Sequence, residues 1–184
     1  MTLSIIVPTP DGGDLEALFV SIRPQIGPGD EVLIVGDTHS DPLHEVRALV
    51  ESEGHRWLSH DAGRHAWGHP QINYGMTRAR GDYLVFIDDD DVFTEDAFDH
   101  IRAHANGTPL MFRFRSPRTG LLWQKQVIQC GRIGGHEFVV PNIPNRLGTW
   151  TDRYEGDYDF IVSTLAKWPP DSLVWRPEVI ALAR

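Results

Sequence analysis

The stretch that most constrains this chain is Gly81-Asp82-Tyr83-Leu84-Val85-Phe86-Ile87-Asp88-Asp89-Asp90-Asp91, where five apolar residues run directly into four aspartates. The apolar run is short and β-rich, and it reads as a buried strand. Side chains alternate across a strand, so Asp88 and Asp90 are expected on one side and Asp89 and Asp91 on the other. Carboxylates this close repel, and one of them takes up a proton unless a cation sits among them. Mg²⁺ or Mn²⁺ meets that need with oxygen ligands, binding one or two carboxylates plus substrate phosphates. The plainer alternative is a solvated acidic turn ahead of a helix. The stretch alone does not choose between the two.

The residues before it set a repeating pattern. Leu3 to Val7 reads as a strand ended by Pro8-Thr9-Pro10, and Asp14 as the cap of a helix burying Leu15, Leu18, Phe19 and Ile22. Glu31 to Val35 is the second strand. Asp41-Pro42 opens a helix with Leu43, Val46, Leu49 and Val50 inward, which Gly54 stops. Arg56 to Leu58 is a weak third strand, Ser59 to His69 a polar loop, and Pro70 to Arg80 a helix burying Ile72, Met76 and Ala79. The order β-α-β-α-β-α-β implies a parallel sheet with right-handed crossovers. Pro8, Thr9, Asp37 and the acidic cluster all fall at strand C-termini, where open α/β sheets bind ligands.

The second half changes style. Thr94 is expected to cap a helix with Phe98, Ile101 and Ala105 inward, followed by a hairpin of Leu110–Arg115 with Leu121–Val127. Arg113 and Arg115 are expected to point outward. Phe138 to Val140 is a short strand, and Pro141 to Trp150 is irregular. Asp157 caps a last helix burying Phe160, Ile161, Thr164 and Leu165, and Leu173–Trp175 and Val179–Leu182 read as two closing strands. The expected architecture is one α/β domain over residues 1–184, a mostly parallel sheet through residue 91 and a mixed half from 92 on.

Composition narrows the function classes. A net charge of −9 speaks against a nucleic-acid-binding surface. Cys130 is the single cysteine, so no intrachain disulfide forms. No apolar run approaches the ~20 residues of a membrane span, and the first residues lack the marks of a signal peptide. The expectation is a soluble, cytoplasmic chain. No Gly-x-Gly-x-x-Gly or P-loop occurs, which disfavours dinucleotide enzymes and P-loop ATPases.

Taken together, Ser4-Ile5-Ile6-Val7-Pro8-Thr9, Val32-Leu33-Ile34-Val35-Gly36-Asp37, Asn73-Tyr74-Gly75, the stretch Ala79 to Asp91 with its Asp-x-Asp motif, and Gly156-Asp157-Tyr158-Asp159-Phe160 resemble the family 2 glycosyltransferases. The resemblance implies a GT-A fold, Rossmann-like, and a metal-dependent, inverting, non-processive sugar transfer. The donor would be a nucleotide diphosphate sugar, UDP-sugars foremost, and the acceptor an unidentified hydroxyl. By resemblance, Pro8, Thr9 and Asp37 line the base and ribose pocket, Asp88 and Asp89 close it, and Asn73 belongs to the donor site. Asp88 and Asp90 form the Asp-x-Asp pair on Mn²⁺ or Mg²⁺. His136 is a candidate third ligand, weighed against an ordinary strand-edge histidine. Asp157 would be the general base, a role worth ~10²–10⁴-fold, or only a helix cap.

Other readings stay open. Gly36 stands where relatives often carry an acid, and Ile72 where an arginine is common, so a basic contact could come from Arg64. The Gln-x-x-Arg-Trp motif of processive synthases is absent. His65 and His69, four apart, invite a zinc reading without a third ligand. Trp67, Trp123 and Trp150 lie in loop-rich segments, and Trp150 is the candidate acceptor contact because sugars stack on aromatic faces. The short second half leaves a homodimer open as a way to complete an acceptor site. The competing function is a non-catalytic sugar-nucleotide or glycan-binding module on the same scaffold. A nucleotidyltransferase would need a Gly-rich loop with Arg and Lys, absent from Pro8 to Gly13, and a calcium loop fails at Val92 and Phe93.

Overall fold

A computed structural model describes residues 1–10, 14–37, 43–61 and 67–184. The expected cap at Asp41-Pro42 and the candidates Arg64 and His65 lie outside the described residues. The first half follows the expected alternation: β1 (Leu3–Thr9), α1 (Leu15–Ile22), β2 (Glu31–Asp37), α2 (Leu43–Ser52), β3 (Arg56–His60), α3 (His69–Met76) and β4 (Tyr83–Phe86). The second half holds β5 (Val92–Phe93), α4 (Ala97–His104), β6 (Leu110–Ser116), β7 (Gly120–Leu122), β8 (Phe138–Pro141), α5 (Gly156–Leu165) and β9 (Val174–Leu182). The strands join in the order β3-β2-β1-β4-β8-β6-β9-β5, with β7 alongside β6. The β3-β2-β1-β4 part is parallel, and β8 enters antiparallel to β4 and β6.

Strand alternation divides the core into two layers. Leu3, Ile5, Val7, Val32, Ile34 and Val85 face α1, α2 and α4, represented by Phe19, Val50 and Phe98. Ile6, Leu33, Val35, Leu84 and Phe86 face α3 and α5, represented by Ile72, Phe160 and Ile161. β1, β2 and β4 are thus covered on both faces, as their near-continuous apolar sequences require, while β3 is the half-exposed edge. No helix among the described residues is long and apolar enough to cross a membrane.

Several local expectations are corrected. The α3 helix ends at Met76 rather than Arg80, and Leu49 is exposed rather than buried. Thr94 does not cap α4; its hydroxyl donates to Val179 O at 2.8 Å and its N–H to Ile180 O, tying the start of that segment to β9. Arg113 does not point away but lies over the Trp123 ring, 4.8 Å from its centroid. The two expected closing strands are one, β9, because a bulge absorbs Pro177. Between the pairs Met111↔Trp175 and Arg113↔Val179 the β9 chain advances further than β6, which leaves room for a proline that cannot donate to the ladder.

Phe98 is fully buried and meets Phe93 edge-on at 4.9 Å, whereas Val20 on α1 is 57% exposed. Phe98→Ala should lower unfolding free energy by about 3–5 kcal/mol, and Val20→Ala should change it by less than about 0.5 kcal/mol. Urea denaturation of the two variants checks this contrast.

Candidate active site

The β4 strand stops at Phe86, before the aspartates. The Asp91 N–H donates to Asp88 O at 3.3 Å, closing a turn over Asp88–Asp91. Alternation therefore does not govern the four carboxylates, and the expected pairing of Asp88 with Asp90 on one strand face is replaced by a turn that brings Asp88 to Asp91. Asp91 is buried and Asp88 is half-exposed at its side chain. The third member comes from far along the chain. His136 sits in a 3-10 turn, Gly135–Glu137, that leads into β8 next to β4.

The ligand atoms of Asp88, Asp91 and His136 all lie within 4.8 Å of one another, the one such group among the described residues. His136 Nε2 is 3.0 Å from Asp91 Oδ2 and 3.4 Å from Asp88 Oδ2, and it is 3.2 Å from the Asp88 N–H. The carboxylates ask for a proton on Nε2; the N–H asks for its lone pair. Burial opposes a charged ring, yet the charges and hydrogen bonds of Asp88 and Asp91 outweigh it and hold the His136 pKa well above its ordinary value. Burial also pushes Asp88 up, but His136 outweighs it and leaves Asp88 below the ordinary range. The ring is braced from behind by Phe114, stacked at 4.7 Å and 15°. Asp91 Oδ1 accepts the Arg184 N–H at 3.2 Å. Asp90 is exposed one residue away, and burial plus the charges of Asp91 and Asp88 raise its pKa. Two carboxylates and an imidazole form a set that could hold a divalent cation, which would offset the charges that, with burial, raise Asp90.

The other candidates gather on the same edge of the sheet. Pro8, Thr9 and Asp37 are buried at the ends of β1 and β2, and Asp89 is half-buried in the turn. Gly36, beside Asp37, admits no side chain: a Cβ there would lie 2.2 Å from the Trp57 indole, which fills the place. Asp157 is the second residue of α5 rather than its cap. Its Oδ1 accepts the Tyr158 N–H at 2.6 Å, and a Cβ placed on Gly134 would lie 3.5 Å from its Oδ2, so it faces the turn that carries His136. Burial raises the Asp157 pKa against the lowering effects of the Tyr158 N–H, His69 and His136. A carboxylate whose pKa is raised by burial is a candidate general base.

Two candidates have other work. Asn73 spends its amide on the backbone: Nδ2 donates to Trp150 O at 2.8 Å, and Oδ1 accepts the Trp150 N–H at 3.1 Å. These bonds tie Asn73, expected at the nucleotide, to the segment that leads into α5. Trp150 is 5% exposed, stacked on Phe160 at 4.9 Å and edge-on to Phe86. Its ring faces are core surfaces, so the expected acceptor contact is corrected. One turn before Asn73, His69 Nδ1 lies 2.7 Å from Thr151 O and must donate to it. Its ring also presses on the start of α5, where a Cβ on Gly156 would come within 2.4 Å of Nδ1. So α3 clamps residues 150–156, the loop that delivers Asp157, through His69 and Asn73. That buried role of His69 was not legible in the sequence, where it stood only as a zinc candidate.

The model of the family described as Glycosyl transferase family 2 matches residues 4–128, more than half of the chain. The chain belongs to glycosyl transferase family 2. No curated protein matches this family 2 sequence. Among solved structures, S. aureus TarS superposes with a TM-score of 0.79 at 14% identity, over 100% of this chain and 36% of TarS. The M. tuberculosis glucosyl-3-phosphoglycerate synthase gives 0.69 at 16%, over 100% of this chain and 71% of that one. Mannosyltransferase PcManGT from Pyrobaculum calidifontis, in complex with GDP-Man and Mn²⁺, gives 0.72 at 17%, over 98% and 56%. These likenesses establish the GT-A fold. This family 2 chain spans little more than a third of the first of them.

Glu137, next to His136, is fully buried; its Oε2 accepts the Gly134 N–H at 2.8 Å, and burial pushes its pKa up to about 8. A carboxyl raised above its unfolded value is neutral in the fold and charged in the unfolded chain between the two values. Its contribution is complete below pH ~4.5 and is lost as pH rises through about 8. Thermal denaturation in metal-free buffer should show stability falling over that window, and Glu137→Gln should flatten the fall.

Proposed function

We propose that this chain transfers a sugar from a nucleotide diphosphate sugar, UDP-sugars foremost, to an acceptor hydroxyl with inversion at the anomeric carbon. The observation that carries this reading is the Asp88–Asp91–His136 group at the C-terminal edge of a GT-A sheet, facing Asp157 across the Gly134 turn. Structures of TarS with UDP and with UDP-GlcNAc, and of glucosyl-3-phosphoglycerate synthase with Mg²⁺ and UDP, support a uridine donor and a divalent metal.

Asp88, Asp91 and His136 would hold Mn²⁺ or Mg²⁺, with Asp90 beside them. What a cation supplies there is positive charge against the leaving diphosphate. Pro8, Thr9 and Asp37 would receive the base and ribose, with Asp89 at the edge of that pocket. Asp157 accepts the acceptor's hydroxyl proton. The acceptor oxygen forms a bond to the anomeric carbon as the bond from that carbon to the diphosphate oxygen breaks, and the bonding pair leaves with the nucleotide. The clamp on residues 150–156 keeps the base from drifting, and misplacement by ~1 Å can cost ~10²-fold.

Two measurements test this. In calorimetric titration, UDP binding should require Mn²⁺ or Mg²⁺, and Asp91→Ala should weaken it at least tenfold more than Asp90→Ala. The reverse order would restore the strand-face pairing of Asp88 with Asp90. Asp157→Asn should cut transfer from a UDP-sugar by ~10²–10⁴-fold with UDP affinity unchanged. Transfer retained in that variant would remove Asp157 as the base and favour a different acid–base group.

A further inference from the structure

Beside the base lies a pair of aromatic rings with no part in the donor site. Trp67 is 42% exposed and Tyr154 is 75% exposed, and their rings meet edge-on at 6.2 Å. They come from the two walls of the clamp: Trp67 precedes His69 at the head of α3, and Tyr154 stands in the loop just before Gly156 and Asp157. Trp67 is anchored from below. Trp67 stacks on His69 at 6.3 Å and 26°; His69 meets Trp150 at 5.3 Å; Trp150 stacks on Phe160 in the core. A column of rings thus runs from the core to the surface and ends at Trp67 and Tyr154, while the His69–Thr151 and Gly156 contacts tie the column to the segment that leads into Asp157.

The surroundings choose among occupants. Asp152, Glu155, Asp157 and Asp159 outnumber Arg153 in this loop. Arg153 is already spent, with two 2.6 Å hydrogen bonds to Asp159 and an ion pair with Glu155 at 3.4 Å. Thr151 also bonds Asp159, whose pKa these partners, Arg153 first, hold down at about 2. Four carboxylates against one guanidinium leave this loop net acidic, which disfavours a phosphorylated acceptor, and its polar density does not suit a lipid tail. It does suit a ring with an apolar face and a hydroxyl edge: Trp and Tyr offer rigid area with a polar tip, and carboxylates accept from hydroxyls.

We propose that Trp67 and Tyr154 form the acceptor platform, and that the acceptor is an uncharged carbohydrate whose pyranose ring lies on this pair with a hydroxyl toward Asp157. The proposal rests on the glycosyltransferase reading, and its test separates the two. The full chain, with UDP and Mn²⁺ present, is titrated with neutral tetrasaccharides of glucose, mannose, galactose and N-acetylglucosamine and with a 6-phosphorylated mannotriose, followed by calorimetry and saturation-transfer NMR. At least one neutral tetrasaccharide should bind, with saturation concentrated on the C–H face of a ring. Trp67→Ala and Tyr154→Ala should each weaken that binding by roughly tenfold, the scale of one stacked aromatic contact, at unchanged UDP affinity. Tyr154→Ala removes a side chain that is three-quarters exposed, so it keeps the test intact if Trp67→Ala disturbs the fold. UDP binding without any tetrasaccharide binding overturns the platform and leaves the donor site standing. So does tighter binding of the phosphorylated sugar, or sugar binding indifferent to both substitutions. Absence of UDP binding removes the glycosyltransferase reading itself.

Discussion

Asp88 and Asp91 are held together by a backbone turn, and everything at this end of the sheet answers to that repulsion. Two carboxylates in one place must share a positive partner or lose a charge. The chain supplies one from a distance: β8 runs antiparallel to β4, and the 3-10 turn that feeds it delivers His136 onto both carboxylates with Phe114 behind the ring. Without a cation, a proton on Nε2 balances the charge; in the proposed metal-bound form the same nitrogen would offer its lone pair.

The second constraint is mechanical. The base candidate Asp157 opens α5 directly after an irregular segment, and irregular segments move. Here α3 restrains it: Asn73 bonds both backbone groups of Trp150, His69 bonds Thr151 O, and Gly156 is pressed against the His69 ring. The same column of aromatics reaches from Phe160 to the surface, so core packing, the position of the base and the outer ring pair are one structure. Trp150 is buried in this column, and Asn73 holds its backbone in place.

Much of this was legible in the sequence where the signal is local or periodic. The four parallel strands and the helices between them follow from apolar runs at strand and helix spacing, and Leu15, Leu18, Phe19 and Ile22 occupy the face their spacing implied. The resemblance to family 2 rested on motifs that cover the sheet's functional edge, and the family match and the fold agree with it. What could not be read was non-local. Strand alternation was extended past Phe86 because nothing in Asp88–Asp91 says that the strand ends there; the end is set by where β4 leaves β1. Leu173 to Leu182 looked like two strands because the bulge that accommodates Pro177 is made against β6. Asn73 and Trp150 looked like ligand contacts because the partners that occupy them lie 77 residues away.

The central claim is that Asp88, Asp91 and His136 form one cation site shared with a nucleotide diphosphate. Anomalous diffraction from crystals grown with Mn²⁺ and UDP tests it most directly. The account predicts a manganese peak ligated by Asp88, Asp91 and His136 and by diphosphate oxygens of UDP. A peak ligated by Asp90 without Asp91 and His136, or UDP bound with no metal at these residues, would contradict it.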